Sequence, residues 1–281
     1  MTPDFHGLRV LAFESRRATE FASLVTTFGG RPVVAPALRE EPLDSNAAAL
    51  DFTAALLRGE FEVVIFLTGV GTRALIRAIE PSHSRDEIVA ALARTKVVAR
   101  GPKPLAVLRE LGVPVWVAVP EPNTWRELLA ALDARLSEQP LQGAHVAVQE
   151  YGVTNADLLD GLRARGAVVT PVPVYRWTLP DDLEPIRSAV LALAQGDVDV
   201  VVFTTGVQVV HLWQIVVEMG READVRHGLS RVVVSSIGPS TSEELRRHGV
   251  TIDVQASHPK MGLLVRELAE KAQALLQTKQ R

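Results

Sequence analysis

Short runs rich in Val, Ile, Phe and Ala recur along the chain, separated by stretches whose apolar residues fall three and four apart. The runs predict strands at Leu8–Phe13, Pro32–Pro36, Glu62–Leu67, Lys96–Ala99 and Val115–Val119. A second set follows at His145–Gln149, Val168–Pro171, Val198–Phe203, Arg231–Ser235 and Thr251–Gln255. Several read as continuous apolar segments, which suits parallel strands covered on both faces. The intervening periodicity predicts helices over Thr19–Phe28, Thr72–Ile79, Pro104–Leu111 and Trp125–Ser137, then Asn155–Arg165, Val207–Met219, Ser240–His248 and Met261–Gln277. In the last of these, Leu264, Leu268, Leu275 and Leu276 lie near one face, with Lys and Glu opposite. Asp181 and Asp182, after Pro180, mark a further helix start. Alternation of this kind predicts doubly wound parallel sheets of the α/β class.

The pattern is written twice. GLRVLAF at Gly7 returns as GAHVAVQ at Gly143, and Gly30 before RPVVAP returns as Gly166 before AVVTPVP, both 136 residues on. Phe66-Leu67-Thr68-Gly69-Val70 returns as Phe203-Thr204-Thr205-Gly206-Val207 at an offset of 137. Gly101-Pro102, Gly112-Val113 and Pro122 return at that offset as Gly238-Pro239, Gly249-Val250 and Pro259. A series of matches at one spacing indicates duplication, hence two similar lobes. The repeated motifs coincide with strand-to-helix turns at the carboxyl ends of strands, where such sheets bind ligands. Matching turns in two lobes predict a ligand held between them.

Composition narrows the chemistry. With 281 residues, 47% hydrophobic and 22% charged, the chain is long enough for two packed cores. A formal net charge of -3 argues against a nucleic-acid-binding surface. There is no cysteine, so disulfides, thiolate catalysis and Cys-ligated metal are excluded. The seven histidines form no ligand-spaced pair, and no metal is expected. The N-terminus lacks a basic start and an apolar run, and the apolar stretches are too short to span a bilayer, so the reading is of a cytoplasmic protein without membrane attachment. No Gly-x-Ser-x-Gly elbow and no P-loop occurs.

Two kinds of turn carry candidate chemistry. Gly69-Val70-Gly71 after a strand superficially matches the dinucleotide fingerprint, and Arg100 at the next strand end would favour NADP over NAD. The second copy has Gln208 where the first has Gly71, and the alternative is a tight turn using glycine's freedom. The Gly-Pro turns suit anions, because a helix N-terminus offers free N–H groups and partial positive charge. In the first copy Arg100 and Lys103 flank Gly101. In the second, Ser240 with Glu243 reads as a capping box, and Glu243 and Glu244 would repel a carboxylate. Arg16 lies just past the first strand, and Arg73 and Arg77 share a helix face. Tyr151, one of two tyrosines, ends the equivalent strand of the second copy, before a Thr154–Asp157 pair that resembles a cap. A phenol placed there can donate a proton.

Taken in order, VLAFESR, FLTGVG, RGPKP, VQEYG, VPVYRW, FTTGV, SIGPST and Ala256-Ser-His-Pro259 before Met261-Gly-Leu-Leu resemble the uroporphyrinogen-III synthase family over nearly the whole chain. The resemblance implies two crossings between lobes through a two-stranded connector, near Ala37–Glu40 and Val174–Thr178. One lobe would hold residues 1–38 and 177–281, the other 39–176, which gathers Thr68, Arg100, Lys103 and Tyr151 in one lobe. It implies conversion of hydroxymethylbilane into uroporphyrinogen III, with loss of water, inversion of ring D and no cofactor, by a monomer. Substrate carboxylates would be held at Arg16, Thr68, Gly69, Val70, Arg100, Gly101 and Lys103, and at Thr204, Thr205, Gly206, Gly238, Ser240 and Thr241. Tyr151 takes the family's place for protonating the leaving hydroxyl. The first turn reads SRR where many members have Thr-Arg-Pro, so only Arg16 carries over. The basic RGPKP turn is similar to a subgroup fused to regulators, so a non-catalytic tetrapyrrole- or anion-sensing module is the alternative; an NADP-binding oxidoreductase is a more remote one.

Overall fold

Chain order begins with β1 (Arg9–Ala12), α1 (Ala18–Thr27) and β2 (Arg31–Val34), then β3 (Arg39–Pro42). There follow α2 (Ala47–Leu57), β4 (Val63–Phe66), α3 (Gly69–Ile79), α4 (Arg85–Leu92), β5 (Lys96–Ala99), α5 (Pro102–Glu110) and β6 (Val117–Ala118). Next come α6 (Trp125–Asp133), β7 (His145–Gln149), α7 (Ala156–Arg163), β8 (Val168–Val172) and β9 (Tyr175–Thr178). The chain ends with α8 (Glu184–Gln195), β10 (Val200–Phe203), α9 (Gly206–Glu218), α10 (Glu222–Arg231), β11 (Val233–Ser236), α11 (Pro239–Arg247), β12 (Val254–Gln255) and α12 (Met261–Lys279). This computed structural model describes residues 2–42, 47–150, 152 and 154–279.

Two compact units result: residues up to Arg39 together with Thr178 onward (lobe one), and Glu40–Trp177 (lobe two). Both are α/β, with a five-stranded, wholly parallel sheet each. Strand order is β12-β11-β10-β1-β2 in lobe one and β6-β5-β4-β7-β8 in lobe two. β3 and β9 form a separate two-stranded sheet where the chain leaves and re-enters lobe one.

Alternate strand residues build the two cores of each lobe, as the period of two requires. In lobe one, Leu11, Val201 and Val234 pack towards α8, α9 and α10, whereas Val10, Val200 and Val233 pack towards α1 and α12. In lobe two, Val64, Val97 and Ala147 face α2, α3, α4 and α5, and Val63, Val98 and Val146 face α6 and α7. Burial of one such side chain contributes about 1.5–3 kcal/mol. Sheet edges are blunted. β6 and β12 span two residues each, and β2 and β8 carry Pro32 and Pro171, which cannot donate to a further strand.

Three helices depart from the sequence expectation: α2, α4 and α10 were not anticipated from periodicity, whereas α8 begins at Glu184, just past the helix start marked by Asp181 and Asp182. α2 (AAALDFTAALL) is apolar nearly all round, so its buried stripe of Ala49, Phe52, Thr53 and Leu56 does not stand out. α10 is strongly polar, and Gly228 interrupts its pattern where a Cβ would overlap the Leu193 carbonyl of α8. α4 carries a legible signal in Ser84 and Glu87, which form a reciprocal capping box.

Candidate functional site

In each sheet the strand order reverses once, between β4 and β7 in lobe two and between β1 and β10 in lobe one. The crevice outside the carboxyl ends of those strands is where doubly wound sheets hold ligands. In lobe two the strand ends there are Leu67-Thr68 and Gln149-Glu150. Thr68 is extended and caps α3, its hydroxyl oxygen accepting from the Gly71 N–H at 3.0 Å. Gly69 is buried because α3 and α5 touch: a Cβ there would lie 2.9 Å from the Lys103 carbonyl oxygen. Val70, by contrast, is 38% exposed.

Gly71 answers the dinucleotide question. A Cβ on it would lie 2.6 Å from Cδ of Gln149, whose side chain is 1% exposed. The Gln149 amide oxygen accepts from the Thr68 N–H at 3.5 Å, and its nitrogen donates to the Glu150 carbonyl. In the fingerprint the second glycine lets backbone approach a pyrophosphate. Here it makes room for a glutamine, and the nucleotide reading loses its footing.

Beside this crevice, Gly101 caps α5 and leads into Pro102 at the helix start, where a missing N–H costs nothing. Gly101 is set by space: a Cβ would approach the side-chain amide of Asn123 to 3.1 Å. The Asn123 amide, oriented to donate, bonds the Val119 and Arg100 carbonyls at 2.9 and 3.1 Å. Arg100 is partly buried and Lys103 exposed, and no acid occupies the first turn of α5. Arg73 is engaged elsewhere, in an ion pair with Glu110 at 2.7 Å.

At the end of β7, Glu150 is buried (7% exposed), and burial pushes its carboxyl above the ordinary carboxylate range. The Thr154 hydroxyl donates to it at 3.3 Å, opposing that shift. The expected Thr154–Asp157 cap does not form: Asn155 caps α7 instead, accepting from the Leu158 N–H at 3.1 Å. Asn155 stands directly before the helix and its side chain reaches that N–H, whereas the Thr154 hydroxyl is turned back to Glu150. Tyr151 lies outside the described residues.

Lobe one repeats the arrangement with different parts. Thr205 is the extended residue before α9, and Gln208 on that helix accepts from the Thr204 and Thr205 N–H groups at 2.8 and 3.3 Å. Its amide nitrogen donates to the Phe13 carbonyl at 3.1 Å. The Thr204 hydroxyl donates to Glu14, which is buried. Gly206 lies 3.3 Å, measured from an added Cβ, from Cβ of Glu244. Arg16 is exposed in the β1–α1 turn, while Arg17 pairs with Glu20.

The Ser240 capping box is corrected: Gly238 is the residue before α11, and Pro239 starts the helix one residue before Ser240. Proline fixes the helical φ and needs no N–H partner, so it sets the start. Ser240 is then exposed in the first turn and Thr241 buried. Glu243 and Glu244 pair with Arg247 at 3.8 and 3.2 Å, and Glu244 also meets His248 at 3.3 Å. At the positions of Arg100 and Lys103, 137 residues on, lobe one carries Ile237 and Ser240, so this pair of cations belongs to lobe two alone.

Sequence reasoning missed Glu14, Glu150, Gln149 and Gln208. The available signal was a polar residue directly ending an apolar run, as in VAVQE and VLAFE. Among the described residues, no group of three or more His, Asp or Glu could hold a metal, and no helix is long and apolar enough to cross a membrane.

Comparisons with known proteins agree with this architecture. The family model described as Uroporphyrinogen-III synthase HemD matches residues 19–266. A Bacillus subtilis protein described as the uncharacterized protein YjjA is 29% identical over 94% of this chain and 96% of its own. The crystal structure of a mutant uroporphyrinogen III synthase from Thermus thermophilus superposes with a TM-score of 0.76 at 26% identity, covering 95% of this chain and all of that one. Uroporphyrinogen-III synthetase from Helicobacter pylori, at 13% identity and a TM-score of 0.52 over 94% and 98% of the two chains, shares the fold. A family match spanning most of the chain, on two parallel-sheet lobes whose strand-end turns repeat, places this protein in the uroporphyrinogen-III synthase family.

Proposed function

We propose that this protein is an active uroporphyrinogen-III synthase, a lyase that closes hydroxymethylbilane to uroporphyrinogen III with loss of water and inversion of ring D, without a cofactor. The observation that carries the reading is the crevice of lobe two. There a helix N-terminus free of acids, with Arg100 and Lys103 beside it, lies in the same lobe as two neighbouring strand ends, one bearing Thr68 and the other Gln149 and Glu150. A substrate with many carboxylates and one leaving hydroxyl needs both kinds of group. Free N–H groups and cations bind carboxylates, and a proton donor helps the hydroxyl depart. Electron-rich pyrroles drive the ionisation themselves, so the protein's share is geometry and a proton.

Arg100, Gly101 and Lys103 are the carboxylate-binding group of lobe two in this reading, with Thr68, Gly69 and Val70 on the adjoining turn. Arg16, Thr204, Thr205, Gly206, Gly238, Ser240 and Thr241 serve lobe one, mostly through backbone N–H groups. Tyr151, for which the family resemblance implies protonation of the leaving hydroxyl, is in this reading a hydrogen-bond donor towards it. Incubation with freshly prepared hydroxymethylbilane, followed by separation of type I and type III products, tests the reading. The type III isomer should dominate. Type I alone, formed without inversion, would refute it, and tetrapyrrole binding without turnover would favour a sensing module.

A further inference from the structure

Glu14 and Glu150 occupy equivalent places in the repeat, 136 residues apart and just past the ends of the interior strands β1 and β7, and both are buried. Their surroundings differ. Glu14 accepts from the Thr204 hydroxyl and, at 3.5 Å, from the Gln208 amide. Glu150 receives one 3.3 Å hydrogen bond, from Thr154 to Oε2, and its buried Oε1 has no partner among the described residues.

The cause is an exchange between strand and helix. Lobe one carries Phe13 on the strand and Gln208 on the helix; lobe two carries Gln149 on the strand and Gly71 on the helix. A glutamine on the helix reaches across to the strand's glutamate. A glutamine on the strand instead turns its nitrogen to the Glu150 backbone carbonyl and its oxygen to Thr68. The carboxyl of Glu150 is thereby left without an amide donor. An ionised carboxylate in that position lacks the partners that burial demands, whereas a neutral acid does not.

We propose that Glu150 is held as a neutral carboxylic acid at the lobe-two crevice and supplies the proton that departs with the substrate's hydroxyl. This rests on the function proposed above. In the step, the pyrrole nitrogen pushes its electron pair towards the ring and the methylene C–O bond breaks, its electrons going to oxygen. That oxygen takes the carboxyl proton of Glu150, giving water, an azafulvenium and glutamate. Ring closure later expels a proton from a pyrrolic carbon, which returns to Glu150, so no other reactant is required. The direction of its titration agrees, since burial raises the carboxyl by more than the Thr154 hydroxyl lowers it. The cations on neighbouring elements are Arg100 and Lys103, before and within α5, and Arg176 on β9, which pairs with Glu41 at 2.8 Å. Tyr151, next along the chain, is a far weaker acid with an ordinary pKa near 10.

Glu150→Gln keeps the shape and removes the proton. Its kcat should fall roughly 100-fold, the low end for a positioned general acid, with KM little changed. Wild-type kcat should decline as pH rises and Glu150 ionises, and the variant should lack that decline. Glu150→Asp should retain a pH-dependent limb. Infrared difference spectra of wild type against Glu150→Gln give a readout independent of turnover, and should contain a protonated-carboxyl band at neutral pH. An unchanged rate and pH profile in Glu150→Gln would overturn the proposal, as would absence of the band. If the band is present but wild type fails to convert hydroxymethylbilane, the proton-transfer step falls together with the proposed function, and the neutral acid stands.

Discussion

Replacing Gly71 by alanine is the sharpest test of how the lobe-two crevice is built. The new methyl carbon would lie 2.6 Å from Cδ and 2.8 Å from Oε1 of Gln149. Gln149 is almost fully buried, so its side chain has no solvent-filled space to swing into. Overpacking of this kind costs about 1–3 kcal/mol. Displacing the amide also disturbs its bonds to Thr68 and Glu150, each worth about 0.5–1.5 kcal/mol net. A loss of roughly 2–6 kcal/mol follows, or about 6–20 °C in the unfolding midpoint of lobe two. Urea and thermal denaturation followed by circular dichroism would measure it, with each lobe's transition fitted separately if the two do not coincide. Lobe one suggests the rescue: Gly71→Gln combined with Gln149→Phe transplants the Phe13–Gln208 solution, and the new phenyl would meet Phe66 as Phe13 meets Phe203 at 5.3 Å. The double variant should be more stable than the two single changes predict by about 1–3 kcal/mol, the usual coupling of contacting residues. Tolerance of Gly71→Ala within about 0.5 kcal/mol, or strict additivity in the double variant, would refute the reasoning.

Gly228→Ala should destabilise lobe one by roughly 2–4 kcal/mol in denaturant titration, because its Cβ would lie 2.8 Å from the Leu193 carbonyl carbon and α10 would have to move off α8. Arg100→Ala with Lys103→Ala should raise KM for hydroxymethylbilane roughly tenfold and flatten its dependence on ionic strength, with kcat little affected. His211 is buried, its Nδ1 2.6 Å from the Ala37 carbonyl oxygen, and burial holds its pKa below the ordinary value despite that bond. The unfolded chain therefore takes up a proton that the folded chain refuses. Stability should fall as pH drops below about 6.5, by at most about 1.4 kcal/mol per pH unit. Equilibrium unfolding of His211→Gln between pH 7 and 5 should lack this component, and identical slopes would remove His211 as its source.

Local pattern was the reliable guide to the fold. Lys96–Ala99 and His145–Gln149 are strands with the bounds that their apolar runs predict, and both are interior strands paired on both sides. The predicted edge segments Val115–Val119 and Thr251–Gln255 shrink to the two-residue strands β6 and β12, whose ladders to β5 and β11 hold two paired residues each. α2 and α10 escaped notice for opposite reasons, one too uniformly apolar and the other too polar, and it is packing against neighbours that holds each.

What the amino-acid order determined on its own was the alternation of strand and helix, the duplication, and with it the location of the strand-end turns. These depend on residues within one element or on copies of the same element. Tertiary structure decided how those turns are completed. The partners of Gln149 and Gln208 come from different strands and helices, brought together by parallel strand pairing across long stretches of chain. Periodicity carries no record of such pairings. Whether a glutamate ends with an amide donor, as Glu14 does, or without one, as Glu150 does, depends on which of two packed elements contributes the glutamine, and that is a property of the assembled crevice.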